Sequence, residues 1–412
     1  MTAPLRVALI ASTRHPIREP FAGGLEAHVC QLTRALASRG HQVSLFAAAG
    51  SDPGLECQTL AVRTLDLSET ARNDVSMTPA AFMADHHAYL SLMVWLADPG
   101  SQEFDVIHNH SLHYLPVAMA PALSTPMLTT VHTPPTPWLE SAIGASMGRG
   151  SRFAAVSRHT AAAWEKVTGD ITAIPNGIDT REWPLGPGGP DLVWFGRITP
   201  EKAPHLAIAV AQRACRPLVL AGPISDRRYF AEQVHPQLRG DIRYAGHLEH
   251  SRLARLVGHA AAALVTPTWD EPYGLVVAEA MSCGTPVVAF ARGGIPEFLS
   301  SSSGRLVVAG DVAAMADAIS TAIRLPRKQV REHAIRHCSA EAMVTAYTDF
   351  YRQMIDESAG RSHDRVLHPP PRFRASGPGH EYLRPDAAPG GGHHLIEHSR
   401  AASVFDDHEV TA

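Results

Sequence analysis

Cysteine is scarce. The chain has five, at Cys30, Cys57, Cys215, Cys283 and Cys338, and no C-x-x-C pair. An odd, scattered set in a long chain reads as free thiols of a reducing compartment. Long apolar runs are lacking as well: none approaches the ~20 residues needed to span a bilayer. The N-terminal MTAPLRVALIAS has only a short apolar stretch before Thr13-Arg14-His15-Pro16, which suits a first strand and not a signal peptide. The expectation is a cytoplasmic protein with at most peripheral membrane contact. There is no excess of positive charge, with 36 Lys+Arg against 40 Asp+Glu and a net charge of -4. That argues against a nucleic-acid partner, although a local basic patch for a membrane surface could hide in a balanced total. The G-x-G-x-x-G fingerprint followed by an acidic residue is missing from the first turn, which holds only Gly23-Gly24, so a dinucleotide-dependent oxidoreductase is disfavoured.

What is present is a globular composition, 45% hydrophobic and 18% charged over 412 residues. Such a length exceeds one ordinary core and predicts two domains. Residues 5–11 form a mostly apolar run, as in a strand buried on both faces of a parallel sheet. Leu25, Val29, Leu32 and Leu36 then recur at helical spacing until Gly40, and residues 42–48 read as the next strand. This is a β-α-β unit. Strands follow at 105–108, 127–132 and 153–157.

The pattern restarts after LGPGGP at 185–190, a composition typical of a boundary. Strands are predicted at 192–196, 217–221, 242–245, 261–266 and 286–290, and helices at 203–214, 275–283 and 313–323. The expected organisation is an N-terminal Rossmann-like domain over 1–184 and a second over 185–339. A terminal helix over 340–356 should pack back on the first domain, followed by a disordered Pro/Gly/His-rich tail over 357–412. The tail carries seven histidines: His363, His368, His380, His393, His394, His398 and His408. Their spacing is irregular and no cysteine accompanies them, so a solvated tail is preferred to a metal site.

The most informative segment is DEPYGLVVAEAMSCGTPVVA at 270–289. Pro272 and Gly274 mark a loop before a helix starting near Leu275. The first backbone N–H groups of that helix lack partners within it, and the helix dipole favours an anion there. Glu271 lies in the approach loop and Glu279 about one turn into the helix. Carboxylates suit pairs of hydroxyls, because each offers two acceptor oxygens. His108 and His110, flanking Asn109 at a strand end, are open to three roles: metal ligation, lining of a cleft, or structural placement. Met281 and Cys283 should pack the helix, and Ser157 should cap the next one.

The segment from Glu271 to Glu279 resembles the E-x7-E signature of glycosyltransferase family 4, retaining enzymes of the GT-B fold. Other pieces agree in order: Gly23-Gly24 with the glycine loop, Ala155-Val156-Ser157 with an A-V-S strand end, and 174–179 with P-N-G-[IV]-D. Phe195-Gly196-Arg197-Ile198 with Glu201-Lys202 matches the G-R-x…E-K element, and Gly293-Gly294-Ile295-Pro296-Glu297 matches the loop after the signature helix.

The resemblance implies a GT-B fold of two doubly wound domains facing across a cleft. It implies transfer from a nucleoside-diphosphate sugar, with a UDP-sugar expected first and GDP-mannose next. Arg197 and Lys202 would hold the donor diphosphate without a metal. Glu279 would bind the ribose and Glu271 the donor sugar, with backbone N–H groups of Tyr273, Gly274 and Leu275 nearby. Gly24 would admit the backbone to the diphosphate or acceptor, and His132 would face the reacting sugar, unless it is structural. No cofactor is expected. Acceptor contacts are expected around 14–21 and 75–87, with the acceptor itself unnamed. The alternatives are a glycoside hydrolase, disfavoured because its two carboxylates must flank one bond, and a non-catalytic sugar-nucleotide sensor.

Overall fold

The computed structural model describes residues 3–55, 58–59, 67–98 and 104–367. Cys57 and the tail beyond Leu367, with its expected disorder, lie outside the described residues. Apolar runs and intervening helices build two parallel sheets. The first holds β1 (Arg6–Ile10), β2 (Gln42–Ala47), β3 (Gln58–Thr59), β4 (Val106–Asn109), β5 (Met127–Val131), β6 (Ser151–Ala155) and β7 (Thr172–Ala173), in the order β3-β2-β1-β4-β5-β6-β7. The second holds β8 (Leu192–Phe195), β9 (Leu218–Ala221), β10 (Ile242–Tyr244), β11 (Ala262–Val265), β12 (Val287–Phe290) and β13 (Gly304–Val307), in the order β10-β9-β8-β11-β12-β13.

Each central strand is buried on both faces. Val7, Leu9, Val193, Ala263 and Val287 are fully inaccessible, which explains why these strands read as continuous apolar runs and not as alternation. Every pairing is parallel, and the strand order reverses between β1 and β4 and again between β8 and β11. Ligands of doubly wound sheets collect at such reversals, beyond the carboxyl ends of the strands. The helix Gly24–Ser38 leaves the β1 reversal, and the helix Leu275–Ser282 follows β11 at the other.

Two corrections concern the helices. The terminal helix runs over Ala340–Leu367, well past the expected end at residue 356. Its Met343, Val344, Tyr347, Phe350, Tyr351 and Met354 share one core with Val7, Leu9, Val29 and Leu32 of the first domain. The stretch 75–87 is a loop only at its start. From Ala80 it is the helix Ala80–Ala97, and none of 75–87 lines the cleft described below.

The chain crosses back to the first domain at one tight point. Ile178 N donates to Cys338 O at 2.8 Å, and Ala340 N donates to Ile178 O at 2.9 Å. A Cβ on Gly177 would stand 2.5 Å from Ser339 O, so only glycine admits this approach. Among the described residues, no helix is long and apolar enough to cross a membrane.

Candidate active site

A cleft of about 850 Å³ separates the two sheets. Gly24 and His132 line it from the first domain; Arg197, Lys202, Glu271, Tyr273, Gly274, Leu275 and Glu279 line it from the second. Residues spread over 256 positions of sequence, from Gly24 to Glu279, are thus brought to one place, as the resemblance implied. Of the two expected acceptor stretches, the first borders the cleft through Arg14, His15 and Glu19.

The second wall is built by β11, the loop after it and the helix Leu275–Ser282. Gly274 closes the loop at φ +100°, a left-handed conformation that glycine adopts at little cost. The helix begins at the next residue, with its first N–H groups at the cleft. Tyr273 sits there by its backbone. Its ring belongs to the core, stacked on Phe298 with centroids 4.5 Å apart.

Glu271 is held from both sides. Lys202 Nζ donates to its Oε2 at 2.5 Å, and Trp269 Nε1 donates to the same oxygen at 3.1 Å. Lys202 also stands 5.2 Å from the centre of the Trp269 ring. The backbone of Glu271 is fixed by the following loop: Gly294 N donates to Glu271 O at 2.8 Å, and Gly293 passes so close that a Cβ there would stand 2.0 Å from that carbonyl oxygen. Arg197 is freer, 3.7 Å from Glu201 and partly exposed. Glu279 lies deeper, and burial pushes its carboxyl up to about 8. The two carboxylates therefore differ in kind: one is paired with a cation, the other held toward its neutral form.

The first wall approaches through glycines. The nearest atom to a Cβ built on Gly24 is Leu275 Cδ1, 3.1 Å away across the cleft, whereas a Cβ on Gly23 would meet Arg197 only at 3.8 Å, an ordinary contact. A side chain at Gly24 would press on the second wall. Behind this loop lies a histidine chain. His132 Nε2 is 2.9 Å from His110 Nδ1, and His110 Nε2 is 3.2 Å from His108 Nδ1. His108 in turn meets Tyr351 Oη at 2.6 Å and Thr130 Oγ1 at 2.7 Å. Burial, reinforced by the neighbouring imidazoles, holds His108, His110 and His132 well below the ordinary histidine range, and burial alone lowers His28 to about 4. All four rings are neutral at pH 7. His108 and His110 are fully buried and do not line the cleft; the three roles left open for them narrow to support of His132 or metal ligation.

Met281 and Cys283 are fully buried, as helix packing requires. Ser157 Oγ accepts from Thr160 N at 3.0 Å and so caps its helix.

Sequence reading missed three supports. Glu297 ends the G-G-I-P-E loop of the second domain, yet its carboxylate accepts from Arg158 N at 3.0 Å and His159 N at 2.7 Å, at the start of a first-domain helix. Nothing in a lone Glu after Pro296 signals that contact. Arg327 donates to the carbonyls of Gly186, Gly258, Ala260 and Cys283, tying the domain boundary to the end of the signature helix. Arg331 does the same for Trp183, Thr180 and Ser282. Both lie on the helix Arg327–His337, whose sequence is mostly polar and gives no sign of these contacts.

Comparison with known proteins agrees with this geometry. Residues 22–182 match the family described as Glycosyltransferase Family 4, and residues 189–324 match Glycosyl transferases group 1. The chain is 30% identical to the D-inositol 3-phosphate glycosyltransferase of Frankia alni, over 77% of this chain and 90% of that protein. It is 29% identical to a glycogen synthase of Mycobacterium tuberculosis, over 78% and 87%. Among solved structures, HepE of Anabaena in complex with UDP-glucose superposes with a TM-score of 0.65 at 18% identity, covering 85% of this chain and all of that one.

Proposed function

The chain belongs to glycosyltransferase family 4 and has the GT-B fold, and on that premise we propose that it moves a sugar from a nucleoside-diphosphate donor to an acceptor hydroxyl with retention of anomeric configuration and without a metal. The observation that carries this reading is the convergence of Arg197, Lys202, Glu271, Glu279 and the start of the helix Leu275–Ser282 on one cleft. Two cations and a helix N-terminus are what a leaving diphosphate needs, because they neutralise charge that grows as the bond breaks. Glu279 is placed for the ribose hydroxyls and Glu271 for those of the sugar. A UDP-sugar is favoured as donor, since a structural relative was solved with UDP-glucose; GDP-mannose comes next.

The reaction then proceeds on one face. The bond from the anomeric carbon to the diphosphate oxygen lengthens toward an oxocarbenium-like state. The departing oxygen, stabilised by Arg197 and Lys202, takes the proton of the acceptor hydroxyl as that hydroxyl attacks from the same side. The products are a glycoside of unchanged configuration and the free nucleoside diphosphate. His132 borders the sugar position from the opposite wall.

A hydrolase using Glu271 and Glu279 as its acid and base is disfavoured by the Lys202–Glu271 contact, which engages the side chain such a mechanism would need free. The discriminating experiment is thermal denaturation with UDP, GDP, ADP and their sugars. A bound ligand raises stability with the logarithm of its concentration over Kd. One nucleoside diphosphate should raise the melting temperature in wild type and much less in Arg197→Ala. No shift from any of them would overturn the donor assignment.

A further inference from the structure

Beneath the first wall three imidazoles meet. His28 comes from the helix Gly24–Ser38, His110 follows β4 and His132 follows β5. One ring nitrogen of each lies within 4.8 Å of the other two. The His28 ring is centred 5.3 Å from that of His110 and 5.0 Å from that of His132. His110 and His132 are bonded to each other. His28 is fully buried, and neither of its nitrogens has a hydrogen-bond partner among the described residues. Buried polar atoms are almost always paired, so an orphan ring aimed into a cluster of neutral nitrogens calls for something between them.

We propose that His28, His110 and His132 form a binding site for a divalent first-row transition ion of the zinc type. Neutral imidazole nitrogens suit zinc, nickel or copper, whereas magnesium and calcium take oxygen ligands. Zinc binds imidazole nitrogen at about 2.0–2.1 Å, so nitrogens of a tetrahedral set stand a little over 3 Å apart. The 2.9 Å between His110 Nδ1 and His132 Nε2 is already close to that spacing. The metal would replace the proton those two nitrogens share, and His28 would supply the third ligand.

For His110 the surroundings match what a ligating histidine requires. Its second nitrogen should be engaged by a further partner that fixes the ring. His110 meets His108 in this way, and His108 is anchored by Tyr351 of the terminal helix and by Thr130. Of the three, His132 lines the cleft. The site stands on the first-domain wall, apart from Arg197 and Lys202 of the second, so it does not supply the charge on the leaving diphosphate.

The test reads binding, not turnover, and therefore stands or falls independently of the activity proposed above. Zinc is titrated into the full-length protein by equilibrium dialysis, beside His28→Leu in the same full-length chain. The histidines beyond residue 360 are common to both and cancel. Wild type should hold one zinc ion more than the variant. Its affinity at that site should exceed any residual affinity of the variant by at least the roughly 10–100-fold that loss of an outer partner costs a ligating histidine. Zinc should also raise the melting temperature of wild type as its concentration increases. Equal stoichiometry in the two proteins would overturn the proposal. So would a melting temperature of wild type that zinc leaves unchanged, a reading that decides the matter even if His28→Leu does not fold.

Discussion

Burial pushes the Glu279 carboxyl up to about 8 from an ordinary 4.5, and the sign of its effect on stability follows. An acid whose folded value is raised contributes stability that is complete below pH 4.5 and is lost as the pH rises through 8. Wild type should therefore lose melting temperature between pH 5 and 8 relative to Glu279→Gln, whose side chain does not titrate. Above pH 8, where the wild-type side chain is a carboxylate, the same substitution should raise KM for the donor, because an amide is a poorer acceptor for two ribose hydroxyls. Parallel melting curves for the two proteins across that range would contradict the burial argument. In the proposed reaction Arg197 and Lys202 act on the departing charge instead. Arg197→Ala and Lys202→Ala should each lower kcat by roughly 10²–10³-fold, the usual effect of losing one preorganised charge contact. A change confined to KM would assign them to ground-state binding alone.

At the scale of elements, function depends on how loops are pinned to helices. Gly293 has φ +57°, and a Cβ there would stand 2.0–2.7 Å from the backbone of Glu271. Gly293→Ala should displace the loop that carries Glu271, and a shift of about 1 Å at a reacting group costs roughly 10²-fold in rate. Steady-state kinetics on the folded variant checks this, and an unchanged kcat would show that the loop adjusts elsewhere. The terminal helix is the second such element. Its six buried side chains belong to the first-domain core, at about 1.5–3 kcal/mol apiece. Together they rival the ~5–15 kcal/mol that holds a typical domain folded. A chain ending at Cys338 should not fold, as circular dichroism would show; a cooperative native-like melt from that chain would contradict the packing account.

These elements also show what sequence could and could not disclose. The central strands were legible because burial on both faces makes them nearly continuous apolar runs, as in Val7 to Ala11. The second wall of the cleft was legible because Pro272, Gly274 and the two glutamates lie within one short stretch. β3 and β7 have two residues each, too few for any period. The helix Ala80–Ala97 is apolar around most of its circumference, so it presents no stripe against a polar face. The contacts of Glu297, Arg327 and Tyr351 join residues 44 to 243 positions apart, and only the folded chain brings them together. Nothing local singles out His28, which lies in the helix Gly24–Ser38 and meets His110 and His132 from two other strand ends only in the folded chain.

For the whole molecule, the account requires that the chemistry be complete within the cleft between two doubly wound domains. In the proposed reaction positive charge for the leaving group comes from Arg197, Lys202 and a helix start, so turnover should survive excess EDTA. Loss of activity on chelation, restored by magnesium or manganese, would assign that charge to a metal. The central claim is that bond breaking and bond forming share one face of the sugar, and the configuration of the first-formed product tests it most directly. Donor turnover with water as acceptor can be followed by NMR before the released sugar mutarotates. The account predicts that an α-linked donor releases the α-anomer first, with no sugar attached to Glu271. A β-anomer as first product would contradict retention, and a glycosylated Glu271 would replace the single-face reaction with a double displacement.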